Sequence, residues 1–460
     1  MAHSNLPSLL LLPSPPEPAS QAALGAAYRP PLEMALAKTK SAARATTLIV
    51  AVAFPFVGGP SQDSKRFAWP DAQSLLAGLY TIVAVLCEKL RIGTDVDGGP
   101  GSVDTRVVLL DHDRERRFPE YMPIIEPNNT VLVDLPSFAS AYHPWNKIFY
   151  PQSEAGLHLS NQYLKFAQLV HKTTDDQVVP VDGGLTLRVG ATTARTGTSS
   201  GLTSGTITPS HIIHIPTPLH KTVCLGGTFD YLHPGHKLLL TAGALLLDVP
   251  LPMSSGPCEY IIGVTGDELL KNKKFAEYVQ PWDERARNVI NFLATVLNLS
   301  RDGWEEKIGP EIDEKDGTFT ATFRNESIVV QCVRIHDAFG PTVERQDITS
   351  LVVSGETRSG GRAVNEKRAA RGWLPLETFV VDVLSADEAV AEMAAAADES
   401  ASGREATAAA ENFDSKISST AIRQQRAEAA AAAAVIATTT AAAVVATAET
   451  TAQTAASQTA

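Results

Sequence analysis

The chain has 460 residues, 44% hydrophobic and 20% charged, the balance of a soluble globular protein long enough for two cores. A formal net charge of −12 is the wrong sign for a non-specific nucleic-acid binder. Cys87, Cys224, Cys258 and Cys332 are scattered without a CxxC pair, which argues against a disulfide scaffold or a zinc site and points to a reducing, cytoplasmic setting.

In chain order, residues 1–45 are rich in Pro, Ala and Ser and are expected to form a disordered arm. Leu9–Leu12 lacks the basic flank of a signal peptide and is closed by Pro13. From Thr46 the pattern is that of a folded α/β unit, expected over 46–190. Thr47–Phe54 reads as a buried strand, Ala72–Leu90 as a helix, Arg106–Leu110 and Thr130–Leu135 as strands, and Asn161–His171 as a helix. No catalytic motif occurs in this half.

Residues 191–215, small and polar, read as a linker. A second alternation is expected over 216–427. Its strands fall at Val223–Leu225, Tyr260–Val264, Ile328–Ile335, Leu351–Ser354 and Thr378–Leu384, and its helices at Gly235–Leu247, Pro281–Leu299 and Gly360–Arg371. Such alternation implies a parallel sheet with its active site at the carboxyl ends of the strands. The acidic, Ala-rich stretch 386–412 is expected to be a disordered insertion, and 428–460 a low-complexity tail. Ala429–Ala448 is uncharged and of spanning length, but Ala and Thr add little transfer free energy, so no membrane partner is expected.

Four strings carry chemistry. The first is GGTFDYLHPGHK, Gly226–Lys237, between a strand and a helix. Gly226 and Gly227 permit close approach of backbone to a phosphate, and the helix N-terminus aims N–H groups at it. His233 and His236, three apart around Gly235, can face one side and donate to polyphosphate oxygens. A tight turn with surface histidines is the bland alternative, and the full string is far more specific than a lone HxxH. The second is VTGDELLKNKKF, Val264–Phe275, in which Lys271 and Lys274 point one way if the segment is helical and Lys273 points elsewhere. A solvated face is the common meaning of such a cluster, and an anionic acceptor the functional one. The third is VVSGETRSGGRAVNEKRAARG, Val352–Gly372, with donors at Arg358, Arg362, Asn365 and Arg368 or, equally, a capped helix with a basic outer face. The fourth is KISSTAIR, Lys416–Arg423; capping accounts for one hydroxyl of Ser418, Ser419 and Thr420, and the set with Arg423 exceeds that need.

GTFD followed by HPGH resembles the signature of the nucleotidyltransferase superfamily of cytidylyltransferases, phosphopantetheine adenylyltransferases and class I aminoacyl-tRNA synthetases. Together the four strings, over about Lys221–Arg426, are similar to the phosphopantetheine adenylyltransferases of the eukaryotic coenzyme A pathway. No RTEGIST-type signature of cytidylyltransferases is present, and no GxxxxGK[ST] loop of a fused kinase, so the arrangement looks like the monofunctional fungal form. Gly355 departs from the Ser-Glu/Arg-Glu-Thr of relatives, and the insertion lengthens the path to the fourth motif.

The resemblance implies a Rossmann-like nucleotidyltransferase domain preceded by a smaller α/β accessory domain. It implies ATP and 4′-phosphopantetheine as substrates, with Mg²⁺ accompanying ATP, and other coenzyme A pathway enzymes as partners. Gly226, Gly227, Thr228, Phe229, Gly235, His236, Ser418, Ser419, Thr420 and Arg423 would bind ATP. Thr228, Lys271, Lys274, Arg358 and Arg368 would bind the acceptor. His233, His236 and Lys274 would act at the transferring phosphoryl group. A cytidylyltransferase of the same fold and a non-catalytic nucleotide-binding scaffold are the competing expectations.

Overall fold

The computed structural model describes residues 6–54, 67–96, 98–114, 132–141, 144–168, 173–185, 216–250, 256–298, 311–382 and 418–432. The expected linker, the acidic insertion and all of the tail beyond 432 lie outside these residues.

The N-terminal half begins earlier than its composition suggests. Ser8–Leu12 is strand β1 and Gln21–Thr39 is helix α1, so the expected arm is a correction. Leu9–Leu12 is a fully apolar run, the pattern of a parallel strand covered on both faces. Ser20 caps α1 by accepting from the Ala23 N–H, and the helix continues through Pro30 and Pro31 although each removes an amide donor. Proline and alanine content masked a helix whose Leu24, Tyr28, Leu32 and Leu36 are buried.

There follow β2 (Thr46–Ala53), α2 (Trp69–Lys89), β3 (Val103–Asp111), β4 (Leu132–Asp134), α3 (Leu135–Ser140), β5 (Ile148–Pro151), α4 (Glu154–Ala167) and β6 (Val178–Val181). The six strands form one sheet in the order β4-β3-β2-β1-β5-β6, every pair parallel. Helix α2 starts with Pro70 in its first turn, where a missing N–H costs nothing, and is buried on every face from Leu75 to Cys87. By length and hydropathy it alone among the described residues qualifies to cross a membrane; 83% of that window is covered by protein.

The second half holds β7 (Thr222–Gly227), α5 (Pro234–Leu245), β8 (Cys258–Thr265), α6 (Trp282–Leu297), β9 (Asp313–Lys315), β10 (Thr318–Phe323), β11 (Ile328–Ile335), β12 (Ser350–Ser354), α7 (Arg358–Ala370) and β13 (Glu377–Val381). A last helix, α8, covers 419–432. The sheet order is β13-β12-β7-β8-β11-β10-β9. Strands β13 to β11 are parallel, the Rossmann-like core the sequence predicts. Strands β9 and β10 add an antiparallel edge that the sequence analysis missed. The chain reverses direction across the sheet between β7 and β12, so the crevice outside their carboxyl ends is the expected ligand site.

The two halves are not separate beads. Helix α2 packs on α1 at one side and on α5 at the other, and a single apolar core runs through both sheets. The Tyr80 and Thr241 hydroxyls lie 3.4 Å apart across this junction, and the Trp69 indole donates to the Val380 carbonyl at 3.2 Å. All four cysteines are buried, and none is in a disulfide.

Candidate active site

The turn after β7 is shaped by two residues in the left-handed region, Phe229 (φ 52°) and Tyr231 (φ 44°). Gly227 makes this possible: a Cβ there would come within 2.9 Å of the Phe229 ring. Gly226 has open space instead, its nearest neighbour being the Gly263 carbonyl at 3.7 Å. Phe229 is thereby fully buried, a packing residue, with its ring centroid 5.3 Å from that of His236.

Pro234 opens α5 with His233 at the N-cap, so His233 and His236 flank the first turn. Their rings stack with centroids 3.9 Å apart and planes 29° from parallel. Both rings are partly exposed, but each Nδ1 is buried without a hydrogen-bond partner. Burial, assisted by the charge of Lys237, pushes the His233 imidazole down to about 3. Burial also sets His236 well below its usual value; His233, Lys273 and Arg285 add to this, and a backbone hydrogen bond at Tyr231 opposes it. Both rings are therefore neutral near pH 7, each with one N–H donor and one lone pair.

Beneath the turn lies a polar scaffold. Arg285, fully buried on α6, donates to the carbonyls of Gln280 (2.9 Å), Thr228 (2.6 Å) and Thr265 (2.8 Å) and to Asp267 (2.6 Å). Asp230, also fully buried, accepts from the Gln280 N–H at 3.0 Å and pairs with Arg423 at 2.5 Å. Arg423 further donates to the Lys274 carbonyl and the Thr420 hydroxyl, each at 3.0 Å. The Ser419 hydroxyl donates to the Asp230 carbonyl at 2.9 Å, while Ser418 caps α8 by accepting from the Ala421 N–H. Two motifs are thus joined through Asp230 and Arg423, which lie 193 positions apart in the chain. The proposed phosphate ligand Arg423 is first of all the bolt that holds α8 to the turn.

The lysines differ from expectation. Two 3-10 turns, Asp267–Leu269 and Ala276–Tyr278, flank a run of turns rather than an α-helix, leaving Lys271, Lys273 and Lys274 exposed. Lys273, expected to point away, is the lysine whose charge is felt at His236. Lys274 lies beside α8 through its backbone carbonyl.

In the third motif Ser354 and Thr357 form a reciprocal cap at the carboxyl end of β12, and Arg358, exposed, begins α7 beside the crevice. Arg368 is a correction. It is 1% exposed, and its guanidinium donates to the carbonyls of Leu374, Thr342, Arg345, Gln346 and Ile348. All five N–H groups are used, so Arg368 ties loops together and has no donor left for an acceptor. Asn365 is likewise occupied, exchanging hydrogen bonds with the backbone of Leu376.

Sequence reasoning gave no role to Arg285, Asp230 or Gln280. For Arg285 a signal existed: it stands between Trp282 and Val289 on the buried stripe of α6, where an arginine must be satisfied by the fold. Asp230 and Gln280 act through tertiary pairing that no local pattern encodes.

Elsewhere, a cavity of about 240 Å³ lies at the carboxyl ends of β1–β3 and the start of α4, with Glu17, His112, Arg114 and His158 in its lining. It belongs to the N-terminal sheet and shares no residue with the histidine turn.

Comparison with known proteins matches these two halves separately. Residues 224–425 match a family described as cytidylyltransferase-like, and residues 1–187 match a domain family of unknown function. An uncharacterised Schizosaccharomyces pombe protein is 37% identical over 35% of this chain and 39% of its own length. A phosphopantetheine adenylyltransferase of Saccharomyces cerevisiae is 35% identical over 36% of this chain and 42% of its own. Another, from Pyrococcus furiosus, is 31% identical over 36% of this chain and 79% of its own. The chain thus spans about two fifths of the length of the two fungal relatives.

Proposed function

The chain belongs to the cytidylyltransferase-like nucleotidyltransferase family of its phosphopantetheine adenylyltransferase relatives, and we propose that it transfers the adenylyl group of ATP to 4′-phosphopantetheine. The products are dephospho-coenzyme A and pyrophosphate. The observation that carries this reading is the stacked His233–His236 pair, each with an unpartnered buried Nδ1, at the N-terminus of α5 and the carboxyl edge of the sheet. A site with unused polar atoms at a helix start suits a polyphosphate.

In the proposed reaction an oxygen of the acceptor phosphate attacks the α-phosphorus of ATP. That P–O bond forms as the bond to the bridging oxygen of pyrophosphate breaks, and pyrophosphate leaves with the electron pair. No protein nucleophile is required, because the acceptor phosphate is already ionised; the protein positions the reactants and stabilises charge. His233 and His236 act as neutral donors to phosphate oxygens. Thr228, at the crevice, and the exposed Lys271, Lys273, Lys274 and Arg358 supply the acceptor side. Ser418, Ser419 and Thr420 present the start of α8 to the β- and γ-phosphates. Mg²⁺ would enter with ATP and offset part of the phosphate charge.

The test is pyrophosphate release by the full-length protein with ATP or CTP, with and without 4′-phosphopantetheine. Acceptor-dependent release with ATP, falling about a hundredfold or more in His236→Ala, is expected. A preference for CTP would replace the reading with cytidylyl transfer. ATP binding without acceptor-dependent release would leave a scaffold.

A further inference from the structure

The loop that leads into β3 of the N-terminal domain reaches three elements of the transferase domain at once. Asp104, the second residue of β3, pairs with Lys237 at 2.5 Å, and the Thr94 carbonyl accepts from the same ammonium at 2.7 Å. Lys237 is 1% exposed and follows His236 directly, so its side chain leaves α5 about 100° around the helix from His236 and is buried against the other domain. The second Asp104 oxygen is held by Arg106 at 2.6 Å. Arg106 in turn donates to the carbonyls of Asn291 (3.1 Å) and Phe292 (3.3 Å) and to the Thr295 hydroxyl, all on α6. Burial alone would raise the Asp104 carboxyl, but Arg106 and Lys237 outweigh it and hold it at about 2. One residue from Thr94, Asp95 pairs with Arg426 of α8 at 2.9 Å, and Arg426 lies 4.4 Å over the Tyr231 ring in the phosphate turn.

These contacts fall on the helix carrying His233 and His236, the helix carrying Arg285, and the helix that starts at Ser418. A linker-joined accessory domain has no need of a buried ion pair in the first turn of the other domain's helix. We propose that the N-terminal domain is a positioning element of the transferase site: Asp104 fixes α5 through Lys237, and Asp95 fixes α8 through Arg426. Asp104 and Asp95 touch no substrate; they set the separation of the two walls between which the triphosphate is to lie. The kinetic part of this inference rests on the proposed adenylyl transfer, and the structural part does not.

The experiment uses the full chain with Asp104→Asn, Asp95→Asn and the double variant D104N/K237M, read by kinetics, by ATP binding and by amide hydrogen exchange. For D104N, kcat is expected to fall tenfold or more with KM for ATP changed less than twofold, and exchange in 234–245 to accelerate. D104N/K237M removes the stranded charge, so it recovers thermal stability but not kcat. It also decides the matter if D104N fails to fold. For D95N, which removes the charge that the half-exposed Arg426 pairs with and leaves that arginine access to water, KM for ATP is expected to rise about fivefold with faster exchange over 419–432, and Asp95→Glu to restore both. Wild-type kcat in D104N/K237M, together with unchanged exchange and ATP affinity in D95N, overturns the proposal. If wild type shows no acceptor-dependent pyrophosphate release, the reaction assignment alone has failed. Exchange and ATP binding still judge the positioning role.

Discussion

The bond between Asp230 and Arg423 makes a prediction whose size follows from its burial. The two side chains are 0% and 2% exposed, and they are the principal charged link between the phosphate turn and α8. Breaking such a pair by removing one charge costs about 3–5 kcal/mol, because the partner is left buried and uncompensated. Asp230→Asn keeps one acceptor oxygen, enough for either the Gln280 N–H or Arg423 but not both, so one of the two hydrogen bonds survives and the lower end, about 3 kcal/mol, applies. Two courses are open to the variant: to unfold more easily as a whole, or to release α8 and let Arg423 reach water. Helix α8 is attached mainly by side-chain hydrogen bonds from Ser419, Arg423 and Arg426, and so the second is expected. At about 1.4 kcal/mol per factor of ten, the undocked population rises roughly a hundredfold. Hydrogen exchange over 419–432 reads it directly, and ATP affinity falls with it while the denaturation midpoint moves little. A double-mutant cycle with Arg423→Met isolates the pair. A coupling energy below about 0.5 kcal/mol, within the scatter of independent sites, would refute the reasoning.

Three further outcomes follow from the site. The His233 ring, held at about 3 by burial, should show no NMR titration between pH 5 and 8, and a midpoint near 6.5 would contradict the buried, stacked geometry. Because its folded value lies below the unfolded one, its contribution to stability is complete above about pH 6.5 and is lost as pH falls towards 3, measurable as an acid-side drop in the denaturant midpoint. Arg368→Met should cost stability by more than about 2 kcal/mol, since five carbonyls lose a charged donor, while leaving KM for the acceptor within twofold. A tenfold KM change in the folded variant would restore the binding role that the fold denies it. Lys273→Met should lower kcat/KM for the acceptor several-fold and flatten its dependence on ionic strength, as loss of a screened, exposed cation does. An unchanged salt dependence would remove Lys273 from the site.

The histidine turn was legible because its information is local. A strand, two glycines, a proline at the first helical position and two histidines three apart fix geometry within twelve residues, and the structure places them so. The parallel strands β7, β8, β11, β12 and β13 were legible for a similar reason, as apolar runs bounded by turn residues. Strand β1 and helix α1 were not, because Leu9–Leu12 is only four residues long and α1 carries two prolines that a local rule assigns to a coil. Arg368 and Arg358 show the limit from the other side. Ten residues apart in one basic motif, they cannot be told apart by spacing. Burial assigns one to five backbone carbonyls and leaves the other at the crevice rim.

The neutral state of the two imidazoles bears on how the site divides its work. Neutral rings offer directed hydrogen bonds but no net charge, so in the proposed reaction compensation of a triphosphate and an acceptor phosphate has to come from cations. The buried cations are already committed: Lys237 to Asp104, Arg423 to Asp230, Arg285 to Asp267 and three carbonyls, Arg368 to five carbonyls. The exposed cations of the second and third motifs include Lys271, Lys273, Lys274 and Arg358. In the proposed reaction the buried charges hold the walls, the histidines orient, and the exposed cations neutralise. That division would let a chain with net charge −12 carry the proposed polyanion site. Asp230, Asp104 and Asp95 are buried and face arginine or lysine.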